Sequence, residues 1–181
     1  MKNLEDYIKL VFPIIEYCAK NSQKESPGHI WYLRGQIFYG FFRARNKNLY
    51  SKKAELKFKE LYGLYTEKIP KENKKHKVFK IEEFKWHEQP IIDPGRSQLH
   101  FEHMYTGSMF REDCQDLFDK GKLTQGAVLK LVKSNYYVCL VTKEENKELP
   151  KSRRGKGIAG AREAYEKAGI EVKFPDTSAE V

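Results

Sequence analysis

The chain has 181 residues, 40% of them hydrophobic and 13% aromatic, enough to bury one core and too few to suggest two, so the expectation is a single domain over residues 1–181. Lys and Arg outnumber Asp and Glu by 34 to 25, a net charge of +9, which disfavours an acidic target and favours a polyanionic one, nucleic acid above all. No run approaches the ~18 apolar residues of a membrane span, and Cys18, Cys114 and Cys139 are too scattered for a disulfide framework or a zinc site.

From the start of the chain, Leu4, Ile8, Val11, Ile15 and Cys18 recur at helical spacing over residues 3–20, with Pro13 expected to kink or interrupt the helix. Acidic residues, a proline and the lack of a small-residue cleavage site make this stretch unlike a signal peptide. With three buried thiols, the expected compartment is the cytoplasm. The stretch "SPGHIWYLRGQIFYGFFRARNKN" is dense in aromatics and then basic. Its rings read first as core, with Arg34, Arg43 and Arg45 on an exposed edge where they could also flank stacked bases. A further helix, "SKKAELKFKELYGLY", starts from Ser51 as N-cap.

The run "EKIPKENKKHKVFK" reads as a solvated loop in which Lys74, Lys75 and Lys77 can touch phosphates. It leads into "VFKIEEFKW", expected as an imperfect strand, then the turn-rich "HEQPIIDPGRS", then a second strand in "QLHFEHMY". "SMFREDCQDLFDKG" reads as a helix capped by Ser108 and stopped at Gly121, and "TQGAVLKLVKS" as another capped by Thr124. The continuous apolar run "NYYVCLVT" is a buried strand. The tail "GIAGAREAYEKAGIEVKF" gives a helix ended at Gly169 and a short final strand. The fold class expected is therefore α/β or α+β, with a mainly helical part over 1–66 packed on a small mixed sheet with helices over 78–175.

Two motifs bear on chemistry. "RRGKGIAG" contains Gly-x-Gly-x-x-Gly at Gly155, Gly157 and Gly160. No strand precedes it and no Gly-Lys-Ser/Thr follows, so it supports neither a dinucleotide fingerprint nor a P-loop. What remains is a basic loop opening a helix, where Arg153, Arg154 and Lys156 can hold a backbone phosphate. The second motif is "HFEH", in which His100, Glu102 and His103 fall within four residues, with Asp93 in the turn before them. Two carboxylates can hold a divalent ion that activates water at a phosphodiester, and His100 or His103 could orient or activate that water. Two other readings stay open. The histidines and Glu102 can form a buried structural network, or they can divide acid and base roles in a metal-independent ribonuclease or toxin, with Arg96 or Arg111 stabilising the phosphate.

Asp93 in a turn, Glu102 on the next strand, then helix and buried strand "NYYVCLV", resembles the core of restriction-type endonucleases over roughly residues 78–142, whose pattern is Asp, a gap, then Glu-x-Lys; Met104 stands at the Lys position. "FEHMYT" is similar to the Glu-His element of HNH endonucleases, which makes His103 the general base by analogy; no histidine follows it, so Asn135 would have to complete that site. The resemblances imply a metal-dependent endonuclease with Mg²⁺ on Asp93 and Glu102, a catalytic set of Asp93, His100, Glu102 and His103, and double-stranded DNA as substrate. Arg34, Arg43, Arg45, Lys74, Lys75, Lys77, Arg96, Arg153, Arg154 and Lys156 would grip the nucleic acid. A homodimer is compatible with such a scheme. The alternative is a non-catalytic binder of nucleic acid or of a defence or counter-defence protein, which needs only a continuous basic face.

Overall fold

Five successive residues, Val138 to Thr142, are all buried, as the apolar run demands, and a strand buried on both sides needs a layer on each. The computed structural model of the chain describes residues 4–21, 48–68, 78–150 and 157–174. Its elements are α1 (Leu4–Lys20), β1 (Leu49–Tyr50), α2 (Lys52–Glu67), α3 (Gln89–Ile92), β2 (Leu99–His103), α4 (Gly107–Asp119), α5 (Gln125–Asn135), β3 (Val138–Thr142), α6 (Lys143–Glu148) and α7 (Gly157–Lys167), with 3-10 turns at Ile81–Glu83 and Pro94–Arg96. The fold is α+β, mostly helical with one three-stranded mixed sheet. No described helix is long and apolar enough to cross a membrane.

The chain groups into two compact units that interleave in sequence, Met1–Asn46 with Tyr105–Tyr136, and Lys47–Met104 with Tyr137–Val181. In the first, α1 packs against α4 and α5. Tyr7, Ile8, Val11, Ile15 and Cys18 form its inward stripe and meet a core that includes Phe110, Cys114, Val128 and Val132. Pro13 does not interrupt α1 as expected. It lies on the exposed face, where the Lys9 carbonyl that loses its N–H partner can turn to water. The cap of α4 is Thr106, not Ser108: the Thr106 hydroxyl accepts from Met109 N, and Ser108 Oγ is 2.9 Å from it. Thr124 caps α5 as expected, and Gly121 takes a φ of 65° after α4. The aromatic and basic stretch over residues 26–48 lies almost wholly outside the described residues.

In the second unit the strand order is β1-β3-β2, with β1 parallel and β2 antiparallel to the central strand. Register sorts the side chains. Leu99 pairs with Thr142, Phe101 with Leu140 and His103 with Val138 on one face, while His100 pairs with Val141 and Glu102 with Cys139 on the other. The first face meets α2 and an aromatic cluster in which Phe84 stacks on Phe101 at 5.9 Å and meets Phe58 edge-on at 5.0 Å. The second meets α7 through Cys139, Val141, Ala161 and Tyr165.

The strand expected in "VFKIEEFKW" is absent. Phe79, Ile81 and Phe84 are buried, but around a 3-10 turn, and Asn48 N–H donates to Glu82 O at 2.7 Å. The aromatic side chains anchor this segment, and β2 pairs with β3 instead. The final strand expected in "IEVKF" reduces to a single bridge between Val172 and Ser51. Helix α6 was not expected: Thr142 and Glu145 form a capping box at its start.

Ser51 joins three elements. It is fully buried; its N–H donates to Leu140 O, and its Oγ accepts from Ala54 N at 3.0 Å while donating to Glu145 Oε2 at 2.6 Å. Thr142 N donates to the same Glu145 oxygen at 2.9 Å. Replacing Ser51 by Ala removes the α2 cap and one of the donors to a buried carboxylate, so urea unfolding should show a loss of about 1–3 kcal/mol. A loss below about 0.5 kcal/mol would show that this junction does not hold the helix start to the sheet.

Candidate functional site: the Asp93 turn and strand β2

Residues 85–103 contain the whole expected catalytic set. Asp93 follows α3 and is 1% exposed. Its Oδ2 accepts from Gln89 Nε2 and Leu99 N, each at 2.9 Å; its Oδ1 accepts from Ser97 N at 3.0 Å and Ser97 Oγ at 3.3 Å; Gln98 N is 3.2 Å from both oxygens. Five donors converge on one carboxylate, and the pattern is local: a side chain held by the N–H groups four to six residues ahead closes the Pro94–Gly95–Arg96 turn and starts β2. Gln89, also 1% exposed, ties the same turn to Leu99 O at 2.8 Å.

Glu102 is also 1% exposed. Alternation puts it on the α7 face, where Tyr165 OH donates to its Oε2 at 2.9 Å. Burial and the neighbouring Cys139 and Glu102 push the Tyr165 phenol well above its usual range, so it stays protonated and donates. The Asp93 carboxylate is fixed at Leu99 N, three residues earlier on the strand, which is about 10 Å at the usual strand rise. A shared Mg²⁺ needs both carboxylates within about 2.1 Å of one ion. The donors on Asp93, the burial of Glu102 and this separation do not fit the expected ion, and among the described residues no three His, Cys, Asp or Glu side chains are grouped to hold one.

The histidines separate as alternation requires. His100 shares the Glu102 face and is half-buried. His103 points to the other face. Burial, with a smaller contribution from His100, lowers His103 from 6.5 to about 4, so near neutrality it is an uncharged imidazole rather than a poised base. Asn135 is the last residue of α5, where its Nδ2 donates to Leu131 O at 3.1 Å. The three cysteines are free and buried as expected; burial raises Cys114 to about 12 and Cys139 further, leaving both as inert thiols.

Of the expected nucleic-acid contacts, Arg96 is described. Arg34, Arg43, Arg45, Lys74, Lys75, Lys77, Arg153, Arg154 and Lys156 lie outside the described residues. Arg96 has a φ of 53°, follows Gly95 at 73°, and lays its guanidinium over the Trp86 ring, 3.6 Å from the centroid. Trp86 is a residue that sequence reading missed, having been absorbed into a supposed strand. The signal was an indole placed immediately before the turn-rich "HEQP".

The chain matches no family model, no curated protein and no solved structure. The restriction-type and HNH-type resemblances therefore stand on their motifs alone, and the residues that carry those motifs are placed as described above.

Two outcomes follow from this geometry. Asp93→Asn keeps the shape but turns an NH₂ toward N–H donors, so the variant should lose about 1–3 kcal/mol in thermal or urea unfolding; full stability would mean that the turn does not need the charge. His103 has a folded pKa below its unfolded one, so its contribution is complete above pH 6.5 and is lost as pH falls toward about 4. Across that window stability should drop by up to about 3 kcal/mol, and His103→Leu should flatten this component in unfolding curves taken at successive pH values. An unchanged slope in the variant would assign the pH dependence elsewhere.

Proposed function

We propose that this protein binds nucleic acid and does so without a metal-dependent catalytic centre at Asp93 and Glu102. The observation that carries this reading is how charge is distributed. The 34 basic residues are not evenly spread along the sequence: the runs Arg43 to Lys47, Lys71 to Lys77 and Lys151 to Lys156 hold 11 of them and one acid, Glu72. Cations gathered in this way suit a phosphate backbone, where each contact releases counterions. Hydrolysis through Mg²⁺ on Asp93 and Glu102 would require both carboxylates to leave the hydrogen bonds that hold the turn and Tyr165, and is not part of this reading.

The test is binding to a labelled DNA duplex across roughly 50 to 200 mM salt. Affinity should fall by at least about tenfold over this range, and Ala at Arg153, Arg154 and Lys156 together, or at Lys74, Lys75 and Lys77, should weaken binding while the melting temperature stays put. Absence of binding at low salt to duplex and single-stranded DNA alike, or binding indifferent to salt, would overturn the proposal. Incubation with Mg²⁺ is the second arm: the duplex should stay intact, and cleavage that is lost in Glu102→Gln while folding persists would restore the endonuclease.

A further inference from the structure

The Asp93 turn builds something other than a metal site. Trp86 is 46% exposed, and the Arg96 guanidinium stacks on it at 3.6 Å. The Arg96 Nε is buried and meets no acceptor among the described residues. The backbone that delivers this arginine has a left-handed φ of 53°, a conformation that costs a residue with a Cβ. Asp93 supplies the restraint, because the amides it holds, Ser97 to Leu99, directly follow Arg96, and Arg96 N–H itself donates to Asp93 O at 2.9 Å.

The charges around the stack are sorted. Between residues 85 and 96 both carboxylates face inward: Glu88 is 5% exposed and accepts from Lys85 N at 2.8 Å, and Asp93 is spent on the turn. Lys85 and His87 are exposed, and Arg96 is partly so. The nearest exposed acid in sequence is Glu83, on the preceding 3-10 turn. Pro90 and Ile91 are exposed beside Trp86 in the chain. A flat aromatic and guanidinium surface, with Lys85 next to Trp86 in the chain and both carboxylates of the segment buried, is complementary to a ligand that is both planar and anionic.

We propose that Trp86 and Arg96 form a stacking platform for an unpaired base of a nucleic-acid strand, with Lys85 and the free edge of the guanidinium reaching the adjoining phosphates. This rests on the nucleic-acid reading above and narrows it to a strand with unpaired bases. The base covers the open side of the indole or the outer plane of the guanidinium, and its π-face serves whatever its identity, so the platform is tolerant of sequence. Asp93 and Gly95 are positioning residues, because they act through Arg96.

Trp31 and Trp86 are the two tryptophans of the chain, so Trp31→Phe leaves Trp86 as the only indole reporter. Titrating this protein with oligodeoxythymidylate and oligouridylate of about 15 nucleotides should quench its emission, and adding Trp86→Ala, read by anisotropy of the labelled oligonucleotide, should weaken binding about tenfold. Trp86→Phe should recover most of that loss, and all variants should melt within a few degrees of the parent because the ring is exposed. Arg96→Gly relaxes the turn and should melt no lower, yet bind about tenfold more weakly. Oligonucleotide binding that leaves the emission unchanged, and is equal in parent, Trp86→Ala and Arg96→Gly, overturns the platform while leaving the nucleic-acid reading intact. No binding of either oligonucleotide or of duplex DNA overturns both. Equal quenching by polyglutamate overturns base recognition in favour of a general anion site.

Discussion

A central strand with no polar face imposes the architecture of the sheet-bearing unit. Val138 to Thr142 is buried throughout, so α2 with its aromatic cluster must cover one side and α7 the other. Once both sides are interior, alternation on β2 no longer separates solvent from core. Glu102 pairs with Cys139 and therefore enters the α7 face, where a carboxylate must find a donor, because leaving it unsatisfied would cost several kcal/mol. Tyr165 is that donor. Register thus accounts for the burial of the most suggestive carboxylate in the sequence.

Asp93 shows the same logic at the edge of the sheet. A carboxylate surrounded by N–H groups tolerates burial because several charge-assisted hydrogen bonds replace its hydration. What it gains for the fold is a tight turn that switches the chain from α3 into β2 in seven residues. What it gives the surface is a direction for Arg96. An Asp in a turn followed by a Glu on a strand is the pattern of a two-carboxylate metal site, and it is also the pattern of a capped turn feeding a buried strand. Sequence spacing does not distinguish them; the donors at Ser97, Gln98 and Leu99 do.

The sequence was legible where one local interaction decides the outcome. Ser51 and Thr124 cap their helices, Gly121 and Gly169 take positive φ near helix ends, and the apolar run around Cys139 forms the buried strand. It was less legible where tertiary packing overrides a local pattern. The alternating segment from Val78 to Trp86 could not declare that Phe79 and Phe84 would dock into the α2 cluster around a 3-10 turn. The two-residue strand β1 exists only through its parallel pairing with β3, a partner some ninety residues away. Thr106 displaced Ser108 as a cap by two positions, within the usual uncertainty of helix starts. For the candidate site, residue types and spacing did not show the burial of Glu102, because that depends on β3 and α7, which lie well beyond the motif.

The pairing of charges on the described helices bears on how an anionic strand would approach. Exposed helix faces carry their charges in pairs: Lys59 with Glu55, Lys120 with Asp116, and Lys167 with Glu163, each four residues apart. Such exposed pairs add little to stability, but they cancel locally, so these faces contribute little to the long-range field. At physiological salt, charges beyond about 8 Å are largely screened. Under the proposed function, attraction of a distant phosphate would fall to the cation-rich runs of the sequence, and discrimination at contact to what a base meets on arrival. Trp86 and Arg96 are suited to the second task alone, since one guanidinium adds little to the far field and a planar surface adds nothing until a base lies against it. Under that proposal capture and stacking would be separable: variants of the basic runs would act on the salt slope, and changes to the indole on affinity at fixed salt.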